Sequence, residues 1–227
     1  MATLTAGEVI NHARDTHPLL SEANAPSALA YRALSRFQQA LVQGIYMRQP
    51  AMLAQFYLIT FPLDSFTDGV DLRTLIPTGW LDILEGFVQW AGGNQNEWTK
   101  RAQQVPWEQR DMPQPWPAYT VFAETLYPLG PESAWTRVAS LRLSVTRQPD
   151  DVVDDDTALI VPVDAREALA TQLQAFYLKR LVGNPQFNVN TDMVSLAMQD
   201  AKMRTDEFLD RIARVGQRQS YRVRDVT

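Results

Sequence analysis

All six tryptophans of this 227-residue chain fall between residues 80 and 135. The same stretch carries Pro106, Pro113, Pro115 and Pro117. An interior proline removes a helical hydrogen bond and clashes with the preceding turn, so no long helix crosses this region. On both flanks, apolar residues recur at helical spacing instead. The chain therefore reads as helix, then a β-rich or irregular segment, then helix.

The first flank opens with Thr5-x-x-Glu8, a capping box in which each side chain satisfies the other residue's free backbone N–H. Val9, Ile10 and Ala13 supply the apolar stripe, and Pro18 ends the helix. A second helix runs from Pro26-Ser27 to about Gln49, with Leu34, Phe37, Leu41 and Ile45 on one side. The run from Ala51 to Thr60 fits a further helical stretch or a buried strand, which periodicity cannot separate. From Leu63 the character changes. Tyr119 to Leu126 and Val138 to Thr146 read as strands, and Leu81 to Gln89 as a short helix or a strand.

The other flank begins after the acidic connector Asp150 to Asp156. A third helix is expected from Asp164, with Glu167 completing a second capping box, and Gly183-Asn184-Pro185 closes it. A fourth runs from Thr191-Asp192 to about Val215 along Met193, Ala197, Ala201, Phe208 and Ile212. Gly216 then opens a polar, basic tail. The expected fold is α+β: a bundle of about four helices with a β-rich insertion and an extended C-terminal tail. The expected divisions are 1–62, 63–149, 150–216 and 217–227.

Chemistry is sparsely provided. The absence of cysteine removes thiolate nucleophiles, disulfides and sulfur-based zinc sites. The two histidines, His12 and His17, leave little for acid–base catalysis. Glu8, His12 and His17 lie close enough in sequence to suggest a metal site, but a solvated helix face accounts for them better. Asp150, Asp151, Asp154, Asp155 and Asp156 lack the alternation and glycine of a calcium loop, and read as a solvated linker or a rim meeting a basic partner. No phosphate-binding loop, dinucleotide fingerprint or nucleophile elbow occurs. The expectation is no enzyme, no cofactor and no metal. A net charge of −5 opposes general binding to a phosphate backbone. The N-terminus lacks a secretory pattern, and the most apolar run, Ala51 to Leu63, is too short to span a bilayer.

The aromatic region suits a small core or a protein interface, with Trp80, Trp90, Trp107 and Trp116 as candidate contacts. A ligand groove there would need a pair of placed carboxylates, and none is evident: Glu85 and Glu97 are present, but such pairs are defined by a separation in space that spacing in sequence does not give. In the tail, Arg218, Tyr221, Arg222, Val223 and Arg224 alternate in a way that suits an extended segment docking on a partner.

Three stretches carry a family resemblance: Glu8 to Asp15 followed by Ala33 to Leu41; Ser140 to Val145 running through the acidic connector to Ile160-Val161-Pro162-Val163-Asp164; and the last long helix with its tail. In these the chain resembles the head-to-tail adaptor (connector) proteins of tailed bacteriophages. The resemblance implies a virion neck protein, assembled in the host cytoplasm, that forms a ring of usually twelve copies. It implies the portal protein and the next tail or neck component as partners, with DNA passing through the channel. It places residues 218–227 on the portal and the region from Trp80 to Trp135 at the ring's periphery. The alternatives are another tail component (tail-completion, terminator or baseplate protein), a ligand-binding protein using the aromatic region, and a DNA-binding regulator.

Overall fold

The computed structural model describes residues 3–63, 65–76, 79–92, 100–114 and 116–224, with side chains described as far as residue 215. It divides into two compact units. One joins Met1–Leu53 to Pro149–Thr227, and the other is the continuous segment Ala54–Gln148.

The first unit is helical. Helix α1 (Ala6–Asp15) starts from Thr5, whose capping box with Glu8 is fully formed. Helix α2 spans Ser27–Tyr46. Between them and the helices of the other flank, Leu4, Val9, Ile10, Leu34, Leu41, Ile45, Leu169, Leu173, Phe208 and Ile212 are buried. Polar contacts lock this packing. The Tyr177 hydroxyl donates to the carbonyl of Pro26 at 2.7 Å, and the Gln174 amide donates to the carbonyl of Ala13 at 3.0 Å.

The second unit is a seven-stranded, mixed, nearly closed barrel-like sheet. Its elements are β1 (Ala54–Thr60), β2 (Val70–Asp71), helix α3 (Leu72–Leu75), β3 (Trp80–Trp90), β4 (Lys100–Gln104), β5 (Ala118–Phe122), β6 (Thr125–Leu129), helix α4 (Glu132–Trp135) and β7 (Val138–Arg147). The strand order is β1-β7-β3-β4-β5-β6-β2, antiparallel throughout except for β4 beside β5. Register breaks along β3 let the sheet curve. At Gly86 a Cβ would stand 2.8 Å from a ring carbon of Tyr119, so glycine lets that buried ring approach the strand. The interior holds Ile59, Phe61, Leu72, Ile76, Ile83, Val88, Tyr119, Leu126, Trp135, Leu141, Leu143 and Val145.

This corrects the expected α+β fold class of a helical bundle with a β-rich or irregular insertion. The sheet is a regular unit with its own core. It recruits Ala54–Thr60 as an edge strand, which short apolar periodicity left open. The β5–β6 hairpin turns on Ala123 and Glu124, both at positive φ, residues that carry no turn signal in sequence.

The helices after the sheet are α5 (Arg166–Leu181) and α6 (Thr191–Arg224). A single 3-10 turn at Val163–Ala165 leads into α5, and Asp164 forms no cap. The expected extended tail is also corrected: the backbone of α6 continues through Gly216 to Arg224. An isolated glycine costs a helix about 1 kcal/mol, less than the following Gln217, Arg218 and Gln219 and the rest of a long helix can offset.

Candidate interaction surfaces

The aromatic candidates of the β unit fall into two groups. The Trp90 ring lies 5.2 Å from Trp116, and Trp116 lies 6.0 Å from Trp135, which stacks on Phe61 at 4.9 Å. The Lys100 ammonium stands over Trp116 at 5.5 Å. Trp107 belongs elsewhere, stacked on Phe122 at 4.4 Å beneath the Arg110 guanidinium at 3.9 Å. Trp80 packs half-buried against the sheet core. The structure thus brings Trp90 and Trp116 together and separates Trp80 and Trp107 from them. Trp98 and Glu97 lie outside the described residues.

Beside Trp116 a cleft of about 460 Å³ opens between Arg110, Asp111, Pro113 and Pro131. The Trp116 indole N–H has no hydrogen-bond partner among the described residues. No carboxylate pair faces this cleft among the described residues. Glu85 is on the strand surface, paired with Arg101 at 3.3 Å. Strand β1 forms one border of the sheet, hydrogen-bonded to β7, and Phe56 and Leu58 point outward from it. The Arg142 guanidinium covers part of the Phe56 ring at 4.8 Å.

The helical unit carries a more apolar feature. A groove of about 420 Å³ runs between α5 and α6, with Phe37 of α2 also in its lining. Phe176, Ala175, Met198 and Ala201 line it, together with Lys179, Lys202 and Asp206. The Gln172 amide donates to the Thr205 hydroxyl at 2.7 Å across the two helices, fixing their spacing. Phe37 meets Phe176 edge-on at 6.4 Å. Farther round α6, Leu196 and Met203 are exposed. Sequence periodicity assigns Phe37 and Phe176 to core stripes but misses the groove, because half-burial depends on the spacing of three helices. The available signal was Met198, which falls off the stripe of α6.

Two of the N-terminal polar candidates, Glu8 and His17, are engaged locally. The Glu8 carboxylate accepts the Thr5 N–H at 2.9 Å. His17 Nδ1 accepts the Leu19 N–H at 3.3 Å, and partial burial lowers its pKa. No metal-binding group of three His, Asp or Glu side chains forms among the described residues.

The acidic connector is ordered rather than loose. The N–H groups of Gly7 and Ala6, at the start of α1, donate to the carbonyls of Asp155 and Thr157 at 2.9 and 3.0 Å. The Val152 N–H donates to Ser35 Oγ at 2.9 Å, and Tyr31 donates to the Asp155 carboxylate at 3.1 Å. That carboxylate and partial desolvation both raise the pKa of Tyr31, desolvation more.

Arg218, Tyr221, Arg222, Val223 and Arg224 lie on the backbone of α6, and their side chains are outside the described residues. None of the described helices is long and apolar enough to cross a membrane. No protein-family model matches the chain. No curated protein matches it.

Proposed function

We propose that this protein is a non-catalytic subunit of an assembly, and specifically a head-to-tail adaptor that forms a ring between a phage portal and tail. The observation that supports this best is the apolar surface left on the long helix α6. Met198 opens into the groove beside α5, and Leu196 and Met203 are exposed on another face. Apolar side chains grouped in this way mark surfaces that another protein covers. The order of parts adds support, since helices precede and follow the β unit in the chain and the last of them, α6, continues to Arg224.

In this reading the C-terminal end of α6, with Arg218, Tyr221, Arg222, Val223 and Arg224, docks on the portal as a helix rather than as an added strand. The β unit, with Trp80, Trp90, Trp107 and Trp116, sits at the periphery, toward the next neck component. The test is the mass of the protein alone and mixed with its portal. The expected results are a discrete closed oligomer or a stoichiometric portal complex, and loss of the portal complex when residues 217–227 are removed. A chain that stays monomeric in both conditions refutes the reading. Full docking by the truncated chain removes the assignment of the C-terminal end.

A further inference from the structure

We infer that the groove between α5 and α6 receives the acidic connector of a second copy of this chain, with Val153 as the inserted side chain. The inference rests on the assembly reading above and names the two surfaces that would meet.

The groove is lined by the apolar side chains of Phe37, Ala175, Phe176, Met198 and Ala201 and by two lysines, Lys179 and Lys202. Arg180 lies beside it, its guanidinium 5.8 Å from the Phe176 ring. Asp206 is the single acidic residue of the lining. A fitting occupant therefore presents a small apolar side chain surrounded by carboxylates.

The connector presents that combination. Val153 is 70% exposed, although a valine of this unit normally belongs in the core. Asp151, Asp154, Asp155 and Asp156 surround it in sequence and are all exposed. Its shape is set before any encounter. Val152 is buried and anchored to Ser35, Asp155 and Thr157 are anchored to the start of α1, and the Thr157 hydroxyl closes the turn on the Asp154 carboxylate at 2.7 Å. A turn already held in shape loses little conformational freedom on docking.

The two surfaces cannot meet within one copy. The connector is tied to α2 through Tyr31, Ser35 and Gln38, whereas the groove is lined by Phe37 of that helix. At about 100° per residue these three anchors share one face of α2 and Phe37 points roughly 120° away from it, so the surfaces lie on different sides of the helix. A contact between two different surfaces repeats from copy to copy, and it closes into a ring when its rotation permits.

The experiment uses the full chain and two substitutions at exposed positions, Val153→Asp and Met198→Glu, with circular dichroism to verify folding. Oligomeric mass is measured for each variant, for their mixture, and for each with portal. The expected result is at least a tenfold weaker self-association for either variant alone. The mixture should give a one-to-one pair and nothing larger, because each partner keeps one competent surface. A Lys179→Glu, Lys202→Glu double variant should weaken assembly and reduce its salt sensitivity. Unchanged assembly of either single variant overturns the inference and leaves the adaptor reading standing. Loss of portal binding by Met198→Glu with self-assembly intact assigns the groove to the portal and overturns it too. A wild-type chain monomeric with and without portal overturns both.

Discussion

The two units deal with apolar side chains in different ways. The β unit turns its aromatic residues on one another: Trp135 on Phe61, Trp90 on Trp116, Trp107 on Phe122. The helical unit buries its aliphatic stripes but leaves Leu196, Met198, Met203 and Val153 facing outward. A tryptophan-rich stretch suggests a contact surface and a regular helix suggests a core. Here most of the tryptophans cover one another, and exposed apolar side chains remain on the border strand of the sheet, at Phe56 and Leu58, as well as on the helical unit.

The most severe way to test this difference is Trp135→Ala. The ring is fully buried and its indole N–H donates to the carbonyl of Leu129 at 2.9 Å. Its loss should destabilise the β unit by about 3–5 kcal/mol. Chemical denaturation followed by tryptophan fluorescence and by helical circular dichroism should then show two separated transitions. A single coincident transition would mean the units do not behave as distinct bodies.

Gly86→Ala comes next, at a cost of about 1–3 kcal/mol from overpacking against Tyr119. Adding Tyr119→Leu should recover part of that loss, a non-additivity measurable in a double-mutant cycle. The opposite sign is expected at the β5–β6 turn. Ala123→Asn with Glu124→Gly relieves two left-handed residues and should raise stability by about 1 kcal/mol in thermal melts.

Alkaline pH should distinguish the units by which tyrosine resists ionisation. Burial raises the pKa of Tyr119 in the sheet strongly and that of Tyr177 on α5 less. A group whose folded pKa is raised contributes stability that is complete below the unfolded value near 10 and fades as pH climbs through the folded value. Absorbance titration should therefore show Tyr177 ionising before Tyr119, with Tyr119 responding only as the sheet unfolds. The smallest effect is expected at Gly44→Ala. Its new Cβ would stand 2.9 Å from the tip of Leu209, and the gain in helix propensity should nearly cancel the displacement of that flexible side chain, giving a melting temperature close to wild type.

Legibility from sequence followed the range of the forces involved. The Thr5–Glu8 cap and the stripes of α1 and α2 are local patterns, and they appear where their residues predict. The sheet is not local. Ala54–Thr60 becomes a strand because it pairs with Ser140 to Thr146, 80 to 92 positions away in the chain. The turn at Ala123 and Glu124 is imposed by strands on either side rather than by its own residues. Continuation of α6 past Gly216 shows the converse, a local breaker outweighed by its neighbours. The groove of the helical unit was illegible because it exists only in the spacing of α2, α5 and α6.

The register of β1 on β7 has a consequence for how such a chain can diversify. Ala54, the first residue of the β unit, lies opposite Thr146, two residues before its last. The polypeptide thus enters and leaves that unit through a doorway about 5 Å wide. A lineage could exchange the whole sheet for a short turn, or for an unrelated module with adjoining ends, while retaining the helical scaffold.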